Sequence, residues 1–189
     1  MGYKLITGPA TEPISTTEAK LHLKIETTDT TEDALLAILI KAAREICEEY
    51  TRRTLISQTW ELQFDSFSES EYMLEKTPVS SITSVKYYDQ SGMEQTVANT
   101  VYELNQATEP NKLILKSGQI WPSVRGHTND CKIRFVAGYT AVPGALKAAM
   151  LLIIGHLYEN REDVIVGRIS NDMPKGSEYL MNPYRLFTW

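Results

Sequence analysis

Apolar residues recur along this chain in two periods, and one stretch is apolar with no period at all. That stretch is Val142–Asn160, VPGALKAAMLLIIGHLYEN. Pro143 suits the first helical position, where its missing N–H costs nothing. Ala148–Ile154 holds no polar residue. Lys147 and His156 fall about half a turn of azimuth apart on a helix, so they define no polar face. A helix that is apolar nearly all round is buried on more than one side. This one is either the centre of the chain's own core or partly covered by another subunit. In the second case Met150, Leu151, Ile154, His156 and Tyr158 are the candidate packing residues. The run is well short of the roughly 18–20 residues a membrane span needs, and Lys147 and His156 interrupt it, so no membrane partner is expected.

A three-and-four-residue rhythm predicts a second long helix over Thr30–Arg53. Leu35, Leu39, Ala42, Ala43, Ile46, Cys47 and Tyr50 form its stripe, Leu36 and Ile40 widen it, and Lys41, Arg44, Glu45, Glu48 and Glu49 lie off it. Thr30 is the expected N-cap, with Glu32 and Asp33 at the positive end of the dipole and Arg52-Arg53 at the negative end. Upstream, Ser15 and Glu18 fit the S/T-x-x-E capping box, with Ile14 as staple, and predict a short helix from Thr16 to about Leu23. Gly2–Glu12 is short and mixed and reads as an extended arm.

From Ser57 to Ala137 the period changes to two. Trp60, Leu62 and Phe64 alternate, and so do Ile133 and Phe135. Further short strands are expected at Tyr72–Leu74, Ser81–Asp89, Glu94–Val97, Val101–Leu104 and Lys112–Leu115, divided by Pro and Gly turns. Such spacing predicts an antiparallel sheet or small sandwich. The fold class is therefore α+β: a small helical bundle of two long helices and one short (13–56 with 142–160), an antiparallel β domain inserted between the long helices (57–140), and an extended C-terminal arm (161–189). That last stretch carries Gly167, Pro174, Gly176 and Pro183 among large apolar groups. It has too many breakers for a long helix and too much apolar surface for a solvated tail. Two readings stand: an arm that orders against a partner through Val164, Ile165, Ile169, Tyr179, Leu180, Pro183, Tyr184, Leu186 and Phe187, or a tail folded back on its own core.

Composition narrows the function classes. The chain has 189 residues, 42% of them hydrophobic and 23% charged, with a net charge of −5. That is an ordinary soluble composition, and its acidic balance argues against a surface built to grip nucleic acid. Met1–Gly8 shows no signal-peptide pattern, so a reducing compartment is expected. Cys47 and Cys131 fall in an apolar helix face and a strand and read as small buried hydrophobes. No G-x-S-x-G, H-E-x-x-H, P-loop or G-x-G-x-x-G pattern occurs. His22, His127 and His156 have no ligand spacing. No catalytic residue, cofactor or metal is expected. An enzyme reading needs a pocket gathering His127, Asp130 and Glu103. Gly118-Gln119-Ile120-Trp121-Pro122 reads as a turn leading to a tryptophan packed on the sheet rather than a ligand-stacking site.

Many short pieces carry a resemblance. They are Pro13-Ile14-Ser15 with Glu18–Leu23; Ala42–Glu45 and Tyr50–Ile56 leading to Gln58-Thr59-Trp60; Gly118–Pro122; Phe135–Tyr139 with Val142-Pro143; Leu146–Glu162; and Asn182-Pro183-Tyr184-Arg185. Together they resemble the head–tail connector (adaptor, head-completion) proteins of siphophage-like phages and prophages, whose members with a β insertion are often described as phage proteins involved in DNA packaging. The resemblance implies a structural protein of the virion head–tail junction, assembled in the host cytoplasm. Its implied partners are the portal protein, a tail-completion (stopper) protein, and copies of itself in a cyclic ring. DNA would pass through the channel without sequence-specific binding, and the C-terminal segment would reach the portal. The rival class is a DNA-packaging or DNA-binding accessory factor.

Overall fold

The structure is a computed structural model, and it describes residues 1–160 and 175–187. The chain is α+β and divides into two compact units: Met1–Ala10 with Ile56–Thr140, and Thr11–Leu55 with Ala141–Trp189.

The first unit is all β. One sheet has the order β1-β2-β8-β4-β5, formed by Gly2–Thr7 (β1), Gln58–Phe64 (β2), Cys131–Ala137 (β8), Val79–Tyr88 (β4) and Glu94–Thr96 (β5). The other has the order β3-β7-β6, formed by Glu71–Leu74 (β3), Asn111–Leu115 (β7) and Tyr102–Asn105 (β6). Every strand pair is antiparallel. Register explains the core. Trp60 lies opposite Phe135, Leu62 opposite Ile133 and Phe64 opposite Cys131, so the alternating apolar residues share one face. That face meets Tyr72, Leu74 and Leu113 of the smaller sheet in one buried cluster, which makes the unit a sandwich. Phe64 and Tyr72 stack across the seam at 4.6 Å between centroids.

The expectation that Gly2–Glu12 is an extended arm is corrected by the sheet. Gly2–Thr7 pairs along β2, with Tyr3 opposite Leu62 and Leu5 opposite Trp60. Six residues carry too short an alternation to declare a strand; the partner, more than fifty residues away, does so. Tyr3 fixes the pairing, since its hydroxyl donates to the Met73 carbonyl and accepts from the Glu75 N–H.

The second unit is helical. Its short helix α1, Thr16–Leu23, opens on the full capping box: the Glu18 N–H donates to Ser15 Oγ and the Ser15 N–H to the Glu18 carboxylate. Helix α2 spans Asp33–Thr51 and starts later than the sequence predicts. Glu32, not Thr30, is the N-cap, because the Asp29 carboxylate has already taken the Thr31 N–H and hydroxyl in a turn of its own. The buried stripe of α2 is also rotated. Leu36, Ile40, Ala43 and Cys47 are its centre, while Leu35, Leu39, Ala42, Ile46 and Tyr50 form its margins. Arg44, read as off the stripe, is buried; its guanidinium donates to Glu12 at 2.8 Å and Glu48 at 2.7 Å, which makes that burial tolerable. Arg52 ends α2 in the left-handed conformation at φ 59.

Helix α3, Gly144–Glu159, packs against α1, α2 and a further helix, α4, Lys175–Met181. Three helices of the same chain thus bury Leu146, Ala149, Met150, Ile153 and Ile154, while Leu152 on the same helix stays exposed. Beyond α4 a single 3-10 turn runs Asn182–Tyr184. The expected extended arm is thus helical over Lys175–Tyr184, with Arg185 beyond it extended. Glu178, Tyr179, Leu180 and Met181 continue one helical turn past Gly176, and Ser177 and Met181 are buried. No helix among the described residues is long and apolar enough to cross a membrane.

Candidate interaction surfaces

The C-terminal segment is built onto the end of α2 by three hydrogen bonds. Tyr50 Oη donates to Asn182 Oδ1 at 2.6 Å, Arg53 Nε donates to the Tyr184 carbonyl at 2.6 Å, and the Leu186 N–H donates to the Thr51 carbonyl at 3.0 Å. Arg185 lies over the Tyr50 ring and against Phe187, 5.2 and 5.3 Å from the two centroids. Arg53, read from sequence as a helix-dipole cation, is therefore a strut for the segment. These contacts sort the predicted arm residues. Leu180, Tyr184 and Leu186 are half-buried, whereas Tyr179, Pro183 and Phe187 are exposed, Tyr179 by 79% and Phe187 by 69%. Val164, Ile165 and Ile169 lie outside the described residues.

The predicted packing residues of α3 divide in the same way. Met150 and Ile154 have no exposed surface and belong to the unit's own core, so they cannot line a contact between folded copies. The period-free pattern hid this, because burial by neighbouring helices and burial by a neighbouring subunit leave the same mark. Leu151, His156 and Tyr158 are half-buried; the Tyr158 hydroxyl donates to Glu32, and the His156 carbonyl accepts from Asn160. Besides Tyr179 and Phe187, the apolar side chains of this unit that face solvent include Leu21 and Ile38, each 65% exposed, and Leu152. The sequence placed Leu152 inside the apolar run and gave no reason to separate it from its neighbours.

In the β unit, Trp121 stacks on Phe67 at 4.6 Å with the rings 8° from parallel, and its indole N–H donates to the Glu69 carbonyl. The tryptophan is a loop anchor, and beside it Ile120 stands 84% exposed. The three residues an enzyme reading would gather stand in different settings. Asp130 is buried and binds Arg125 at 2.6 Å and the His127 N–H at 2.7 Å; the Arg125 hydrogen bond holds its carboxyl below the usual aspartate range. Glu103 sits exposed on β6, in the other sheet. Burial pushes the thiols of both Cys47 and Cys131 up to about 12, away from nucleophile or ligand chemistry. Among the described residues no three His, Cys, Asp or Glu side chains are placed to hold a metal ion.

The model of the head completion protein family matches residues 12–167. Among solved structures, the chain is similar to one from the neck of an empty GTA particle computed with C6 symmetry, at 26% identity and a TM-score of 0.80, covering 100% of this chain and 97% of that one. It is also similar to a chain of the virion of a native gene transfer agent (GTA) particle, at 25% identity and a TM-score of 0.81 over the same shares. A chain from the neck of a native GTA particle computed with C12 symmetry shares the fold at 24% identity, with a TM-score of 0.73. No curated protein sequence matches.

Proposed function

This chain belongs to the head completion protein family, and from that premise we propose that it is a non-enzymatic connector at the phage head–tail junction. It assembles there as a ring beneath the portal protein, extends the DNA channel, and offers a docking surface to the tail-completion protein. The observation that carries the reading is the family match over 12–167 together with likeness across the whole chain to proteins of particle necks and virions. Repetition of one subunit about an axis needs surfaces that complement each other, which is what exposed apolar groups on rigid elements supply.

In this reading the exposed residues of the C-terminal segment, Tyr179, Pro183 and Phe187, meet the portal, together with Val164, Ile165 and Ile169. Leu180, Tyr184 and Leu186 hold the segment in position. Leu151, His156 and Tyr158 of α3 contribute to the contact between copies. The test is electron microscopy of the protein mixed with its portal, comparing the parent with a Tyr179→Glu, Phe187→Glu double variant. Both side chains are exposed, so the variant is expected to keep the parent's circular dichroism and thermal midpoint and to lose the complex. Equal docking by the two forms would remove the C-terminal segment from the portal contact.

A further inference from the structure

Strand register in the five-stranded sheet places every charged residue of its strands on one face. Lys4, Glu61 and Arg134 form one row across β1, β2 and β8, with Ser84 of β4 completing it. Gln63, Lys132, Lys86 and Thr96 form the next row across β2, β8, β4 and β5, and Glu94 lies beside it opposite Tyr88. The opposite face carries Trp60, Phe135 and Ile82, which pack in the core, and at the edge strand the exposed Leu5. Four cations thus share the outer face with two carboxylates, a surplus of two positive charges in a chain whose net charge is −5.

Both carboxylates are already committed. Glu61 is buried and takes two hydrogen bonds from the Arg134 guanidinium, at 2.7 and 3.1 Å. Glu94 bridges Lys86 at 2.7 Å and Lys132 at 3.1 Å. Lys132 also lies over the Tyr88 ring at 4.8 Å; burial opposes its charge, but the bonds to Glu94 and Tyr88 outweigh that and hold it protonated. The cations are ordered by these contacts and still reach solvent: the side chains of Lys86 and Arg134 are 39% and 41% exposed.

The helical unit carries the complement. The link between α1 and α2, Lys24–Glu32, reads KIETTDTTE, with three carboxylates and one cation, Lys24. Glu32 and Asp33 are held inside the unit by Tyr158 and Lys20. Glu26 and Asp29 face solvent, and hydrogen bonds from the Thr31 hydroxyl and N–H keep Asp29 ionised.

We propose that the basic outer face of the five-stranded sheet docks the acidic α1–α2 link of a second copy of this chain. A head-to-tail contact between two unlike surfaces is what closes a ring, so the inference deepens the ring reading above and rests on it. Charge complementarity sets the register and orientation of neighbouring copies and speeds their encounter, while apolar contacts elsewhere supply the remaining affinity.

The test uses the full chain, with association of copies followed by sedimentation, alone and in the presence of portal. Lys4→Glu with Lys86→Glu makes the sheet face acidic and leaves Glu61 to Arg134 and Glu94 to Lys132. Glu26→Lys with Thr28→Lys takes the net charge of the Lys24–Glu32 link from −2 to +1 and leaves the Asp29 turn in place. Each double variant is expected to associate at least about tenfold more weakly than the parent at low salt. An equal mixture of the two is expected to regain association, since the acidic face of one meets the basic link of the other, and the converse; misfolded variants would not recover on mixing. Association indifferent to both reversals, or loss without recovery in the mixture, overturns the contact. So does retention of the parent on duplex DNA at ~150 mM salt that the face variant loses, which would give the face to phosphate instead. A parent that never associates, with or without portal, sinks the ring reading itself.

Discussion

Gly138 shows how much one position can decide. It closes β8 at φ +131, and a Cβ there would stand 2.4 Å from the Ile56 carbonyl carbon and oxygen and 2.6 Å from the Ser57 nitrogen. Backbone cannot swing aside as a side-chain tip can. Gly138→Ala is expected to cost roughly 3 kcal/mol or more in chemical denaturation, combining a strained φ with a backbone clash. The two cysteines make a second residue-scale prediction. With thiols pushed up to about 12 and side chains fully buried, each cysteine is expected to react with a thiol reagent only after the unit that holds it unfolds. Fast labelling of either in the native state would contradict that burial. Asp130 gives a pH dependence. Its folded pKa is lowered, first by the hydrogen bond from Arg125. Its stabilisation is therefore present above the unfolded aspartate value, about 3.9, and is lost as pH falls through the lower folded one. Asp130→Asn is expected to be less stable than the parent at neutral pH, and the gap in denaturation midpoint is expected to close below pH ~4.

Elements differ in how plainly they announce themselves. The capping box of α1 was legible from Ser15 and Glu18 because it depends on residues three apart. The cap of α2 was not, because Thr30 looks like a better N-cap than Glu32 until Asp29 is seen taking Thr31. Residues 175–187 combine glycine, proline and large apolar groups, and either reading of them fits that composition. Contact with α2 and α3 settled the matter, through Met181 in the core and the Tyr50 and Arg53 hydrogen bonds. Tyr50→Phe with Arg53→Ala is expected to raise amide exchange at Leu186 by roughly 10–30-fold, from two lost bonds of about 1 kcal/mol each. Unchanged exchange would mean that packing and the Leu186–Thr51 backbone bond hold the segment without these two side chains. A chain stopped after Asn160 is a poor probe of partner contact for the same reason: it also takes Met181 out of the helical core.

At the scale of the whole molecule, charge governs what the protein meets. A net charge of −5 repels a polyanion at distance, although one sheet face carries a surplus of cations. The full chain is expected to pass through a DNA column at ~150 mM salt without retention. The family was legible in the order of residues, since many short pieces point to the head completion proteins, whose model matches residues 12–167. The placement of the contact residues was not. Of the helix residues named for packing, Met150 and Ile154 went to the core, and the basic face draws on five strands whose residues run from Lys4 to Arg134.

The division has a simple physical origin. Periods of 2 and 3.6, caps and turn residues act over a few positions, so the amino-acid order alone determined that this chain is α+β, where most of its helices and strands lie, and that Trp60, Leu62 and Phe64 share a face. Which neighbour covers an apolar surface depends on contacts between residues far apart in the chain. Only the tertiary structure decided that Gly2–Thr7 is a strand, that Met150 and Ile154 of α3 are covered by its own helices, and that Tyr179 and Phe187 are left facing solvent.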